Sequence, residues 1–119
     1  MVKEYIDDIL KKGYIRPSTS LYAAPVLIVK KLDGEIRIYV NYRTLNALTI
    51  RNRNTPPLIK DTLAKLYTVK VYSKFDIIAA FNEIRVKEGY EEKTAFLIRY
   101  NLFEYIVMPF SLYNTPATF

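Results

Sequence analysis

The sequence contains no cysteine and no histidine. Without thiols it can form neither a disulfide nor a thiolate nucleophile. Without imidazole it can form neither a Ser-His-Asp triad nor a zinc finger. Any metal ion must be held by oxygen atoms, which suits Mg²⁺ or Mn²⁺. No apolar run approaches the roughly 20 residues that span a bilayer. The opening Met1-Val2-Lys3-Glu4-Tyr5-Ile6-Asp7-Asp8 has acids where a signal peptide has its apolar stretch. With neither a signal peptide nor a transmembrane segment, the expectation is an intracellular protein. Internal repeats and low-complexity tracts are also missing.

What remains is a globular composition, 50% hydrophobic and 25% charged over 119 residues, which suits one domain or a piece of one. Eighteen Lys and Arg against twelve Asp and Glu give a formal charge of +6, a lean toward polyanions. Eleven tyrosines and six phenylalanines supply stacking surfaces as well as core volume.

Apolar spacing predicts an amphipathic helix over 3–12, carried by Val2, Tyr5, Ile6, Ile9 and Leu10 and stopped at Gly13. A linker, Arg16-Pro17-Ser18-Thr19-Ser20, precedes a strand over 24–31. Leu32-Asp33-Gly34-Glu35 then turns into a second strand, Ile36 to Val40. This hairpin carries a basic rim of Lys30, Lys31 and Arg37. Pro56-Pro57 opens a helix with Leu58, Ile59, Leu63 and Leu66 on one side. Val69 to Asp76 reads as a strand and Ile77 to Ile84 as helical. Strands Thr94 to Tyr100 and Phe103 to Met108 flank a tight connection at Asn101-Leu102, since Asn tolerates a left-handed backbone. The order of elements indicates a mixed α+β fold.

The segment Tyr72-Ser73-Lys74-Phe75-Asp76-Ile77-Ile78-Ala79-Ala80-Phe81 carries the chemistry. An acid at a strand end followed by small residues suits metal-dependent phosphoryl transfer, because the carboxylate holds the metal and small side chains let a triphosphate approach the backbone. The alternative is an Asp that caps the next helix. Tyr5-Ile6-Asp7-Asp8 spells a Tyr-x-Asp-Asp pattern, but it falls in the N-terminal amphipathic helix with Tyr5 and Ile6 toward the core and both acids toward water.

Several stretches together resemble gypsy-type LTR retrotransposon reverse transcriptases. They are Ile15-Arg16-Pro17-Ser18-Thr19-Ser20, Ala24 to Gly34, Arg37, Tyr42-Arg43-Thr44-Leu45-Asn46, Phe75-Asp76, Lys93-Thr94-Ala95-Phe96 and Met108 to Phe119. The resemblance covers nearly the whole chain in family order. It implies a partial right-hand polymerase fold, with fingers at 1–67 and 84–114 and the start of the palm at 68–83 and 115–119, ending before the catalytic Tyr-x-Asp-Asp hairpin. Asp76 then matches a catalytic, metal-binding aspartate, with the Ile77 backbone carbonyl as a supporting ligand and Mg²⁺ or Mn²⁺ as cofactor. Lys31 and Arg37 match fingers residues that grip the incoming triphosphate. Ala80 and Phe81 match the floor of the nucleotide site, with the Phe81 ring where a ribose 2′-hydroxyl would go. Phe110 matches the loop closing over the nucleotide, and Lys30, Arg43, Asn114 and Pro116 match nucleic-acid contacts. The partners implied are an RNA or DNA template-primer and deoxynucleotides, and the location a cytoplasmic particle or the nucleus. The chain itself, with a single matching carboxylate, is expected to be inactive and to hold metal weakly. The alternative is a catalytically dead relic with residual nucleic-acid binding.

Five positions depart from the family pattern: Tyr39 for Cys, Asn41 for Asp, Asn101 and Ser111 for Gly, and Thr115 for Ala. Each follows from one G-to-A change, or two for Asn101. The hypothesis is that the gene descends from an element hit by cytosine deamination or similar mutagenesis. The nucleotide sequence tests it: without a G-to-A or C-to-T excess against intact relatives, the idea fails. Ser111 is expected to cost about 1 kcal/mol or more if its position needs a positive φ.

Overall fold

The computed structural model describes residues 2–34, 36–54, 57–99 and 101–118. Its first element is helix α1, Val2–Lys11, close to the bounds that apolar spacing predicts. Gly13, at φ +71°, ends it. The Gly13 N–H donates to the Leu10 carbonyl and the Tyr14 N–H to the Ile9 carbonyl, a pair of bonds that satisfies the last carbonyls of a helix closed by a left-handed glycine.

Strand β1, Ile15–Pro17, follows where a linker was expected. Its proline sits on a sheet edge, where a missing N–H costs nothing. β2, Val26–Lys30, and β3, Ile36–Val40, form the expected antiparallel hairpin, with Val26 opposite Val40 and Lys30 opposite Ile36. Glu35 of its turn lies outside the described residues. Helix α2, Arg43–Leu48, was not foreseen, because it is short and its apolar residues are too few to set a period. Helix α3, Ile59–Leu66, starts just after Pro57, and Pro56 lies outside the described residues.

β4, Phe96–Ile98, and β5, Asn101–Tyr105, form the second expected hairpin, with Ile98 opposite Asn101. The connection therefore precedes Asn101-Leu102 rather than occupying it. Arg99, at φ +54°, takes the left-handed turn position, and Asn101 begins the strand. Tyr100 lies outside the described residues. The sheet order is β1-β5-β4, and Ala24 bridges to Phe96, which ties the root of the first hairpin to this sheet. A four-residue helix α4, Thr115–Thr118, follows, and Phe119 is not described.

Val69 to Asp76 is not a strand. The described residues include no strand beside it, and its side chains are exposed, Val71 at 82% and Phe75 at 89%. Without a neighbour to accept and donate ladder bonds, extended backbone has no sheet to join. Of the helix expected over 77–84, only a 3₁₀ turn, Ala80–Glu83, forms.

The core joins α1, the sheet and the root of the β2–β3 hairpin: Ile6, Ile9, Ile15, Val40, Tyr42, Phe96 and Tyr105. Phe96 is 1% exposed, with its ring centroid 5.0 Å from that of Tyr105 and 6.1 Å from that of Phe103. The Tyr42 hydroxyl donates to the Thr94 carbonyl at 2.6 Å, and burial, then the nearby Tyr105, pushes its pKa up. Among the buried acids, Glu104 accepts from Arg16 Nε and Ser18 Oγ, both at 2.6 Å. Glu91 accepts from Arg85 Nη2 at 3.0 Å and from the Gly89 N–H at 2.8 Å.

The Glu91 carboxyl is held below its usual pKa, first by a bond from its own backbone N–H. The Gly89 N–H and the charges of Arg16 and Arg85 lower it further, while burial opposes them. A folded-state pKa below the unfolded value means that the group stabilises the fold above the unfolded value of about 4.5. That contribution is lost as the pH falls below it. Thermal melts across pH 6 to 3 are expected to fall less steeply for Glu91→Gln than for the unmodified chain. Parallel curves would show that Glu91 does not contribute to the acid sensitivity.

Candidate nucleotide site

A cleft of about 440 Å³ lies between the β2–β3 hairpin, α1 and the 109–111 turn. Arg37 and Tyr39 line it from β3, Asn82 from the 3₁₀ turn, and Phe110 from the turn after Pro109. Three remote stretches of sequence therefore meet here. Ala79, at φ +50°, is the pivot, a non-glycine in the left-handed region, which costs about 1–2 kcal/mol. The 3₁₀ turn that follows it sets Phe81 against Phe110, with centroids 5.0 Å apart and rings at 69°. Ala80 lies in the same turn, half-buried.

The other predicted residues are placed around this cleft or away from it. Lys30 ends β2 and is exposed, whereas Lys31 pairs loosely with Asp33 at 4.0 Å. Arg43 begins α2, and its Nε donates to Asn41 Oδ1 at 3.0 Å. Asp76 and Ile77 lie in the exposed stretch between α3 and the 3₁₀ turn. Asn114 accepts from the Asn52 N–H and donates to the Ile50 carbonyl, so its side chain positions the 50–52 stretch. Pro116 is exposed in α4.

Among the described residues, no three carboxylate, imidazole or thiol groups converge to hold a metal ion. Asp76 with the Ile77 carbonyl is too small a donor set for a two-metal centre, so the described residues do not by themselves make one. Asp7 and Asp8 are exposed on α1, and Asp8 pairs with Lys12 at 2.6 Å. Of the Tyr-x-Asp-Asp pattern there, Ile6 is buried in the core, both acids are in water, and Tyr5, expected toward the core, is 38% exposed.

Two residues were missed as contributors. Asn46 carried no assigned role, yet its Nδ2 donates to the Ser111 carbonyl at 2.9 Å and its Oδ1 accepts from the Tyr113 N–H at 2.8 Å. It thereby fixes the turn that carries Phe110. Asn82 enters the cleft only because the 3₁₀ turn rotates it there, and no sequence period announces that.

The altered family positions are absorbed locally. Neither Asn101 nor Ser111 has a positive φ, so the strain expected of Ser111 is not present. Thr115 is fully buried, and its hydroxyl donates to the Pro109 carbonyl at 3.0 Å. Asn41 Oδ1 accepts from the Arg43 backbone N–H at 3.2 Å.

This mixed α+β unit matches part of the reverse transcriptase polymerase fold. The chain belongs to the reverse transcriptase (RNA-dependent DNA polymerase) family, which matches residues 29–119. It is 38% identical over 118 residues to the Transposon Tf2-3 polyprotein of Schizosaccharomyces pombe, covering 99% of this chain and 9% of that polyprotein. The Tf2-7 polyprotein of the same organism matches at the same identity and coverage. Among solved structures, a foamy viral protease-reverse transcriptase in complex with dsDNA superposes with a TM-score of 0.82 at 26% identity, over 99% of this chain and 25% of that one. The prototype foamy virus protease-reverse transcriptase, as a CSH mutant, gives a TM-score of 0.73 at 25% identity, over 99% and 16%. These relatives agree with the gypsy-type resemblance and with the partial polymerase fold. The chain spans about a tenth of the polyproteins and a quarter or less of the solved chains. The family generally uses Mg²⁺. No described helix is long and apolar enough to cross a membrane.

Proposed function

We propose that this chain forms the fingers, residues 1–67 and 84–114, and the first part of the palm, residues 68–83 and 115–119, of an RNA-directed DNA polymerase encoded by a retrotransposon. The observation that carries the reading is the cleft lined by Arg37, from β3, and by Phe110, whose ring packs edge-to-face with that of Phe81. A planar guanidinium suits triphosphate oxygens, and an aromatic floor suits a sugar without a 2′-hydroxyl. Lys31 supplies a second cation at the hairpin turn, and Ala80 leaves room for the nucleotide backbone. Asp76, with the Ile77 carbonyl, contributes one part of a metal site. Template-primer lies along Lys30, Arg43, Asn114 and Pro116. In the complete polyprotein the location is a cytoplasmic particle or the nucleus.

Deoxynucleotide titration tests the cleft. Arg37→Gln is expected to weaken binding about tenfold or more, since a hydrogen bond to a charged group is worth about 1.5–3 kcal/mol. An unchanged affinity would remove Arg37 from the site. Binding of primer-template through Lys30, Lys31, Arg37 and Arg43 is expected to fall steeply with salt as counterions are released. A flat salt titration would rule out the phosphate contacts.

A further inference from the structure

Helix α3 and the stretch that follows it form one continuous exposed run. Every residue from Leu58 to Ile78 is exposed, and among the described residues no strand lies beside 69–77. The stretch is nevertheless tethered to the helix. The Val69 N–H donates to the Leu66 carbonyl at 3.2 Å, and Tyr72 Oη donates to the same carbonyl at 2.6 Å.

In an extended chain alternate residues fall on opposite faces. Val69, Val71, Ser73, Phe75 and Ile77 share one face, and Lys70, Tyr72, Lys74 and Asp76 the other. The four apolar side chains of the first face are between 44% and 89% exposed. Lys70, Lys74 and Asp76 take part in no ion pair among the described residues.

This pattern is complementary to its own reverse. Laid antiparallel on a second copy with Ser73 opposite Ser73, Lys70 of each copy meets Asp76 of the other. Val71 then meets Phe75, Val69 meets Ile77 and Tyr72 meets Lys74. Opposite charges and β-branched–aromatic pairs are the favourable cross-strand partners, and no like charges are opposed. Centring instead on Tyr72 or on Lys74 sets Lys70 against Lys74, or Lys74 against itself. A shift by one residue puts apolar side chains opposite charged ones. A two-stranded ribbon by itself is marginal, so its apolar face needs cover. The tethered α3 offers Ile59, Leu63 and Leu66 at i, i+4 and i+7, all exposed.

We propose that two copies of this chain pair through residues 69–77 in an antiparallel ribbon centred on Ser73, with α3 of each copy closing on its apolar face. The interface shares no residue with the lining of the Arg37 cleft and does not rest on the polymerase reading.

Sedimentation velocity of the 119-residue chain over a range of concentrations tests the proposal, and a monomer–dimer equilibrium is expected. Lys70→Asp and Asp76→Lys each oppose like charges at both ends of the ribbon, and each is expected to weaken the dimer about tenfold or more. The two exchanges combined restore opposite charges and are expected to return it to within about threefold of the unmodified chain. Cross-linking reads the register. The chain has no cysteine, so Ser73→Cys supplies a single thiol. Directly opposed Cα atoms lie roughly 4.5–5.5 Å apart, within reach of a disulfide. Oxidation is expected to give a covalent dimer of Ser73→Cys and little of Lys11→Cys, on the exposed face of α1. All these positions are exposed, so none of the variants disturbs the core. A chain that stays monomeric, a dimer that ignores the single exchanges or is not recovered by the combined one, or equal cross-linking of Lys11→Cys would overturn the proposal.

Discussion

In a primer-extension assay with template-primer, deoxynucleotides and Mg²⁺, the chain is expected to give no product. Transfer of this kind is carried by charge and geometry, with two metal ions clamping the attacking and leaving oxygens between carboxylates. Among the described residues no group of three side chains that could hold a metal ion includes Asp76. The same assay on a complete polyprotein that contains this segment is expected to lose about a thousandfold or more of its rate on Asp76→Asn. Removing one carboxylate forfeits several kcal/mol of charge stabilisation, at about 1.4 kcal/mol per factor of ten. Asp7→Asn and Asp8→Asn are expected to leave that rate unchanged, because both acids stand in water on α1. Product from the isolated chain that vanishes on Asp76→Asn would refute the first expectation. Loss of activity on Asp7→Asn would show that the N-terminal pattern is catalytic after all.

The second large effect is on stability. Phe96→Ala is expected to cost about 3–5 kcal/mol, the range for emptying a buried aromatic site. Phe96 is 1% exposed and packs on Tyr105 and Phe103, while its strand also carries the bridge to Ala24. Small domains hold only about 5–15 kcal/mol in total, so denaturant melts should show the variant largely unfolded or close to it. Phe75→Ala is the control. At 89% exposed it is expected to stay within about 0.5 kcal/mol. Equal losses at the two positions would mean that the core is not assembled around Phe96.

The ease with which each part could be read from sequence follows the range of the interaction behind it. Helix α1 and its Gly13 stop are written in a local apolar period and one left-handed residue, so both were legible. The Asp33-Gly34 hairpin was legible for the same reason. The turn at Arg99 was placed two residues late, because Asn101 is the better left-handed residue by propensity, yet pairing with Ile98 of β4 draws it into the strand. Val69 to Asp76 has strand composition and no strand, since composition cannot supply a neighbour. At the site, Arg37, Phe81 and Phe110 were named from motifs, and the structure brings Arg37 and Phe110 to one cleft with Phe81 behind. Asn82 and the clamp of Asn46 on the 111–113 turn were not foreseen, because Asn46 bonds across 65 and 67 residues of sequence and Asn82 depends on the twist of a single turn.

The sequence alone determined the family, the mixed α+β class and the exclusion of thiol and imidazole chemistry. These depend on residue identity and order, which survive without coordinates. Only the tertiary structure decided which side chains share a space: the Arg37–Phe110 cleft and the Glu91 and Glu104 pairs. Such groupings arise because packing of α1 and the sheet brings distant segments within a few ångströms, a distance that no linear period encodes.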